Sequence, residues 1–490
     1  CLVCGEVIVS VNRPDICNVC DAGAEAFVLL GELEMVRAED GPQFEGTLVV
    51  LGAGPAGAMA AQSARERCPG CKIIVVGAEA TLPYNRTKLS HALQQGDLLS
   101  NNAAGLVLHD AEWYAERNIE IRLNSRVGSV DTYAKTISVT STVDDTTQDI
   151  PYDRVILCTG ANPFVSRGLI QLDGEEIKEP MVKNISFMRT TLDMEGLRAT
   201  IGAVETPVHA AMIGGGVLSL EALPALVDSL PKGSSVSILQ GSDHVLSAQL
   251  NHEYSAHFVK NLNEHVEGRV NFVLNSRAQR VECVKDANGD IRATGVVVKT
   301  DGVERTIDAD LVVVAMGARP TLPKFTGEGD EDLAPTLSRG TLVVNDHCQS
   351  VTSPSVFGAG DCCVIDSLPY AGTYSRALDT ARVAGKNAVF PSVSERDGWG
   401  KMPSGPKALF GYQLKMWDTV MMCIGNVKPT DEDMVVSLPL EQGRVMCVFQ
   451  NHKLIGALLV GKSSLEKQGM DLVQAVRNQM ESEGVMGILQ

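Results

Sequence analysis

Short apolar runs recur along this chain, and most of them end in glycine. Leu48–Leu51 leads into Gly52-x-Gly54-x-x-Gly57 and then an alanine-rich stretch, the pattern of a strand, a tight turn and a helix. "KIIVVG" reads as a second strand, with Glu79 just past its end. The order returns at "VHAAMIGGGVLSLEALPAL", where a strand meets Gly214-x-Gly216-x-x-Ser219 and a helix; "SVSILQ" supplies the next strand, closed by Gln240. "YDRVILCTGANP" (152–163) and "IDADLVVVAMGARP" (307–320) read as buried strands ending in turns at Gly160 and Gly317, and "TSPSVFGAGDCC" ends a strand at Gly360 and Asp361. From "ALFGYQLKMWDTVMMCIGNV" to "MCVFQNHKLIGALLVGKSSL" apolar residues alternate between short turns, which predicts strands, and "SSLEKQGMDLVQAVRNQME" predicts a helix.

Each glycine loop carries chemistry. Such glycines permit a tight turn, close approach of backbone N–H groups to a pyrophosphate, and close helix packing. Two loops in one chain suggest two dinucleotides. Glu79 stands where an acid can bind a ribose hydroxyl pair.

Composition narrows the class. At 490 residues, 44% hydrophobic, 4% aromatic and with 46 glycines, the chain suits an α/β protein of roughly three domains. A net charge of −18 and no basic stripe give no support to a nucleic-acid or anionic-membrane partner. No apolar run approaches the ~20 residues that span a bilayer, and cysteines replace an export signal at the N-terminus, so a cytoplasmic protein is expected. The first residue is Cys1, not Met, from which a trimmed natural start is expected.

Thirteen cysteines are too sparse for a disulfide scaffold in a chain of this length. Four of them form Cys1-x-x-Cys4 and Cys17-x-x-Cys20. Two such turns close a tetrahedral thiolate shell for zinc or iron, and spacing alone leaves a structural zinc ribbon and a redox site equally open. Cys68 and Cys71, in "CPGC" between the first helix and second strand, fall at the edge away from the glycine turns and are expected to be incidental surface thiols. Cys362 and Cys363 are expected to be packing residues. The histidines lack ligand spacing.

The ordered set of motifs over about residues 46–480 resembles the pyridine nucleotide-disulfide oxidoreductase superfamily, and more narrowly the flavoproteins related to NADH:rubredoxin reductase and to the flavin portion of assimilatory nitrite reductase. The resemblance implies three-layer ββα Rossmann-like domains. By it Gly52, Gly54 and Gly57 would cradle the FAD pyrophosphate, Glu79 would hold the adenosine ribose, Arg86 and Lys88 would lie by the flavin, and Asp361 would bind the ribityl chain. The helix following "PYAGTYSRALDTARVAG" would point its N-terminus at the flavin. Gly214 and Gly216 would hold NAD(P)H, and Glu221 occupies the position of the family's "GLE" glutamate. Two departures stand out: Ser219 replaces the third glycine, and Gln240 stands where NADH-preferring relatives have an acid. No arginine cluster follows Gln240, so the preference leans to NADH.

The N-terminal cysteines resemble the rubredoxin-like domain of rubrerythrins, with Gly5 after the first pair and Phe27 past the second, which favours iron. Asn18 and Asp21 depart from that family's usual Pro and Gly or Ala. The implied division is a metal domain at 1–34, an FAD domain at 46–161 and 321–391, an NAD(P) domain at 162–320, and a C-terminal interface domain at 405–490 of the kind used in dimer or partner contacts. The loop "EATLPYNRTKLSHAL" lacks the cysteine that disulfide-reducing and oxygen-reducing relatives place there or on the first helix. A thiol relay is therefore not expected, and hydride transfer by stacking needs no catalytic side chain. The expected function is electron transfer from NADH through FAD to the Cys4 iron and on to a protein acceptor, oxygen or peroxide. The alternatives are an NADH oxidase or diaphorase with a structural zinc ribbon, and a redox-sensing or docking flavoprotein.

Overall fold

The computed structural model describes residues 44–90, 93, 105–177, 182–326, 335–368, 372–392, 398–402 and 411–489. They fall into two compact units. The described parts of Cys1–Thr87, Leu99–Asn162 and Arg319–Ala408 form the first; those of Lys88–Leu98, Pro163–Ala318 and Leu409–Gln490 form the second.

The first unit is built on a parallel sheet in the order Val356–Gly358, Arg154–Leu157, Thr47–Leu51, Lys72–Val76, Ile119–Arg122. The strands Thr47–Leu51, Lys72–Val76 and Arg154–Leu157 are buried along nearly their whole length, so they read as continuous apolar runs without alternation, whereas the edge strand Ile119–Arg122 is only partly buried. Leu51 pairs with both Val76 and Leu157, so the glycine turn after Leu51 emerges at the carboxyl edge of the central strand. The helices Pro55–Arg67 and Tyr374–Ala388 pack together with almost no gap: a Cβ on Gly385 would stand 2.3 Å from the Ala60 carbonyl oxygen. A separate sheet of Ser125–Asp131, Thr136–Ser141 and Thr147–Pro151, edged by Lys324–Thr326, completes the unit.

The opposite edge of the parallel sheet is fastened by a buried arginine. Arg154 donates to the carbonyls of Ala388, Phe390 and Pro391, and its guanidinium lies 4.3 Å from the Phe44 ring centroid. Cys68 and Cys71 sit at this edge but are not surface thiols: they are 2% and 3% exposed. The Cys68 thiol donates to the Phe44 carbonyl at 3.3 Å and the Cys71 thiol to that of Cys68 at 3.3 Å. The turn "CPGC" folds its two thiols inward, which composition alone does not reveal.

The second unit repeats the design. Its parallel sheet runs Ile185–Ser186, Leu311–Val314, His209–Ile213, Ser235–Leu239, Val270–Val273. A mixed sheet centred on the antiparallel pair Arg277–Lys285 and Ile291–Thr300 accompanies it. The alternating C-terminal segment forms a five-stranded antiparallel sheet from Gly411–Met416 to Lys453–Lys462, followed by the helices Glu466–Arg477 and Ser482–Leu489. Among the described residues no helix is long and apolar enough to cross a membrane.

Candidate functional site: two glycine cradles

In the first unit the turn after Leu51 is set by Gly52, at φ +114°. A side chain there would be strained and would strike the Cys158 carbonyl oxygen at 2.2 Å. Gly54 caps the helix Pro55–Arg67 in an extended conformation, and Pro55 opens the helix where a missing N–H costs nothing. Among the described residues, only two nitrogens of Arg86 lie within 4 Å of a Cβ at Gly54, at 3.9 and 4.0 Å. Gly57 seals the helix onto the turn, since a Cβ there would stand 1.8 Å from the Gly52 carbonyl oxygen. The loop thus offers unencumbered helix N–H groups to an anion, with a guanidinium beside them.

That guanidinium is held by a network the sequence only half disclosed. Arg86 forms an ion pair with Glu79 and donates to the Tyr84 hydroxyl at 2.7 Å, which in turn donates to Glu79 at 2.7 Å. Tyr84 is the member of this network that the sequence does not single out, because the loop returns on itself through contacts with no fixed spacing. Burial works against the charge on Arg86, but Tyr84, Glu79 and Asp361 outweigh it and push its pKa up. Lys88 ends the single-turn helix Arg86–Lys88.

Asp361 lies in the short helix Gly360–Cys362, preceded by Gly360 at φ +75°. The Gly360 N–H donates to Thr380 Oγ1 at 2.9 Å, and a Cβ on Gly360 would meet those of Ala56 and Ala377 at 3.2 and 3.6 Å. Asp361 is therefore placed where the starts of two helices converge. The second of these helices is Tyr374–Ala388 itself, capped by Thr373, so it lies within the segment "PYAGTYSRALDTARVAG" and does not follow it. Cys362 and Cys363 are buried, their thiols donate to the carbonyls of Leu157 and Gly360, and burial pushes both pKa values up. They pack as neutral thiols. Gly160, at φ +67°, follows the strand Arg154–Leu157, and its carbonyl accepts from Thr321 N at 3.0 Å.

The second unit reproduces the cradle. Gly214 has φ +109° and would place a Cβ 2.3 Å from the Ala315 carbonyl oxygen, the counterpart of Gly52 against Cys158. Gly216 caps the helix Val217–Ser229, and nothing lies within 4 Å of its Cβ position. Ser219, the replacement for the third glycine, is fully buried, and its hydroxyl finds no partner among the described residues. Gly317 has φ +100°, and its carbonyl accepts from Phe164 N at 2.8 Å.

Glu221 stands one turn into that helix. Burial pushes its carboxyl up to about 7, and a hydrogen bond with Ser90 offsets the shift only in part. The folded chain therefore keeps this proton across a range in which the unfolded chain has lost it. Stability should decline as pH rises from the ordinary carboxylate range through about 7. Glu221→Gln is expected to raise the melting temperature at pH 8 and leave it nearly unchanged at pH 5; an equal shift at both values would disconnect this carboxyl from stability.

Among the described residues no group of three His, Cys, Asp or Glu side chains could hold a metal. Cys1, Cys4, Cys17 and Cys20 lie outside the described residues.

A family model for pyridine nucleotide-disulphide oxidoreductases matches residues 46–388. Nitrite reductase [NAD(P)H] of Bacillus subtilis is 28% identical over 430 residues, covering 87% of this chain but only 47% of that protein. The chain thus spans about half the length of that relative. Rubredoxin-NAD(+) reductase of Ectopseudomonas oleovorans is 28% identical over 388 residues, covering 77% of this chain and 90% of the relative. The structure of an NAD-dependent persulfide reductase from A. fulgidus superposes with a TM-score of 0.70 at 20% identity, over 90% of this chain and 78% of the other, a likeness of fold.

Proposed function

The chain belongs to the pyridine nucleotide-disulphide oxidoreductase family, and from that membership we propose that it is an FAD enzyme passing electrons from NADH to an iron held by Cys1, Cys4, Cys17 and Cys20, and on to a protein acceptor. It is an NAD(P)H-dependent oxidoreductase with FAD and NAD(H) as cofactors. The observation that carries the reading is the duplicated cradle: Gly52 and Gly214 make the same turn at positive φ, and Gly54 and Gly216 each leave a helix N-terminus open among the described residues.

The residues present fit the two dinucleotides. In the first cradle Gly52, Gly54 and Gly57 would hold the FAD pyrophosphate against the helix N–H groups, and the Arg86 cation would balance its charge. Tyr84 and Arg86 orient Glu79 for the ribose, and Asp361 would take the ribityl hydroxyls. Gly160 and Gly360 follow the paired strands Arg154–Leu157 and Val356–Gly358, and Lys88 ends the short helix that Arg86 begins. In the second, Gly214 and Gly216 would receive the nicotinamide dinucleotide, with Gly317 on the neighbouring strand end and Glu221 holding a proton at its carboxyl near neutral pH. FAD, when bound, supplies the exchange between a two-electron hydride and one-electron carriers. The buried, neutral thiols of Cys158, Cys362 and Cys363 support a route without a cysteine relay. The segment 46–161 with 321–391 would form the FAD domain, 162–320 the nicotinamide domain, 405–490 an interface domain and 1–34 the metal domain. A protein acceptor is supported by the relative whose name specifies rubredoxin.

The test is metal analysis followed by anaerobic titration with NADH, on protein purified without added zinc. Iron near one per chain, with flavin and iron bands both bleaching, is expected. Zinc, or iron that stays oxidised while the flavin bleaches, would make the cysteines structural and leave the flavin as direct donor to oxygen or another acceptor.

A further inference from the structure

The strand Ser235–Leu239 ends at Gln240, and the direction of its side chain bears on which nicotinamide nucleotide the chain accepts. The Gln240 carboxamide turns back onto the glycine loop. Its oxygen accepts the Gly215 N–H at 2.7 Å; because that partner can only donate, the amide orientation is fixed, with the NH2 on the far side. That NH2 donates to Ser242 Oγ and lies 3.5 Å from Ser247 Oγ. The Gly215 peptide is pinned on its other side as well, by Leu246 N to its carbonyl at 2.8 Å, and a Cβ on Gly215 would meet Val245 at 2.9 Å. Gln240 is thus a lock on the loop: its oxygen is held by Gly215, its two amide hydrogens face Ser242 and Ser247, and the Ser242 hydroxyl donates onward to the His244 carbonyl at 2.9 Å, so the position presents no charge to a ligand.

An acid at this position would accept a ribose hydroxyl and repel a 2′-phosphate; an arginine would do the reverse. A locked amide does neither, since it carries no charge and its oxygen and amide hydrogens are already held by Gly215, Ser242 and Ser247. The charges that follow are mixed. Asp243 is paired with His244 at 2.6 Å, and their loop shares a cavity of about 400 Å³ with His252 and Lys260. We propose that the chain uses NADH and NADPH with comparable efficiency, and that Gln240 is the residue that withholds discrimination. The inference rests on the reading of the second cradle as the nicotinamide site.

The experiment measures binding of NAD+ and NADP+ to the flavin-loaded full chain by calorimetry, and anaerobic flavin reduction by NADH and NADPH. The expected result is a ratio within tenfold for the wild type, and a shift of at least 30-fold toward the unphosphorylated nucleotide in Gln240→Glu, whose added negative charge would repel a 2′-phosphate. A wild-type ratio beyond tenfold in either direction overturns the proposal without any variant, as does an unmoved ratio in a folded Gln240→Glu. If neither nucleotide binds, the second cradle is not a nicotinamide site and both readings fall. If both bind equally and neither reduces the flavin, the lack of discrimination stands and the proposed electron path fails.

Discussion

Gly57→Ala should yield protein that has lost most of its flavin, less than about a tenth of wild-type content, and several degrees of melting temperature. The added Cβ would stand 1.8 Å from the Gly52 carbonyl oxygen, and the obstacle is backbone, so no side-chain rotation relieves it. Either the helix Pro55–Arg67 lifts from the strand or the turn opens. Overpacking of this kind costs about 1–3 kcal/mol, and each route also moves the N–H groups that face the pyrophosphate. Gly54→Ala separates the two effects. Its Cβ would meet only the tip of Arg86, at 3.9 and 4.0 Å, so the flavin-free chain should melt as the wild type does. The methyl would nonetheless stand where a diphosphate must approach. The flavin-to-protein absorbance ratio and thermal unfolding of both variants check this. Full flavin retention in Gly54→Ala would remove the loop from its proposed role.

The contrast between these two glycines also marks what a sequence discloses. Backbone requirements are legible because a strand, a G-x-G-x-x-G spacing and a helix leave few conformations, and both cradles formed at the residues the pattern indicated. Side-chain direction is not legible in that way. Nothing in "EATLPYNRTKLS" tells that the Tyr84 hydroxyl closes a triangle with Glu79 and Arg86, because the loop returns on itself through contacts with no fixed spacing. Likewise Gln240 could be seen as a missing acid, but not as a lock on Gly215. The same limit explains "CPGC". Its place at the edge away from the glycine turns is legible, yet the turn buries both thiols, Cys68 against the Phe44 carbonyl and Cys71 against that of Cys68, and burial with the neighbouring Cys68 pushes Cys71 up to about 12. A thiol in that state is a poor nucleophile, whatever its spacing suggests.

Replacing Cys17 and Cys20 by serine should lower reduction of a one-electron protein acceptor at least 100-fold while leaving anaerobic bleaching of the flavin by NADH at its wild-type rate. Thiolate-bound iron accepts single electrons, and a serine pair cannot complete its sulfur shell. Arg154 and the Cys68 thiol fasten Phe44 at one edge of the parallel sheet, while the glycine turn lies at the other, five strand residues away or about 17 Å. The chain of residues 32–44 can extend at most about 45 Å, which is long enough for the cysteine segment to reach the far edge, and covalent linkage makes an intramolecular handover compete with any free acceptor. A double variant that reduces the acceptor at the wild-type rate would mean that electrons leave the flavin directly and that the four cysteines only shape the first residues of the chain.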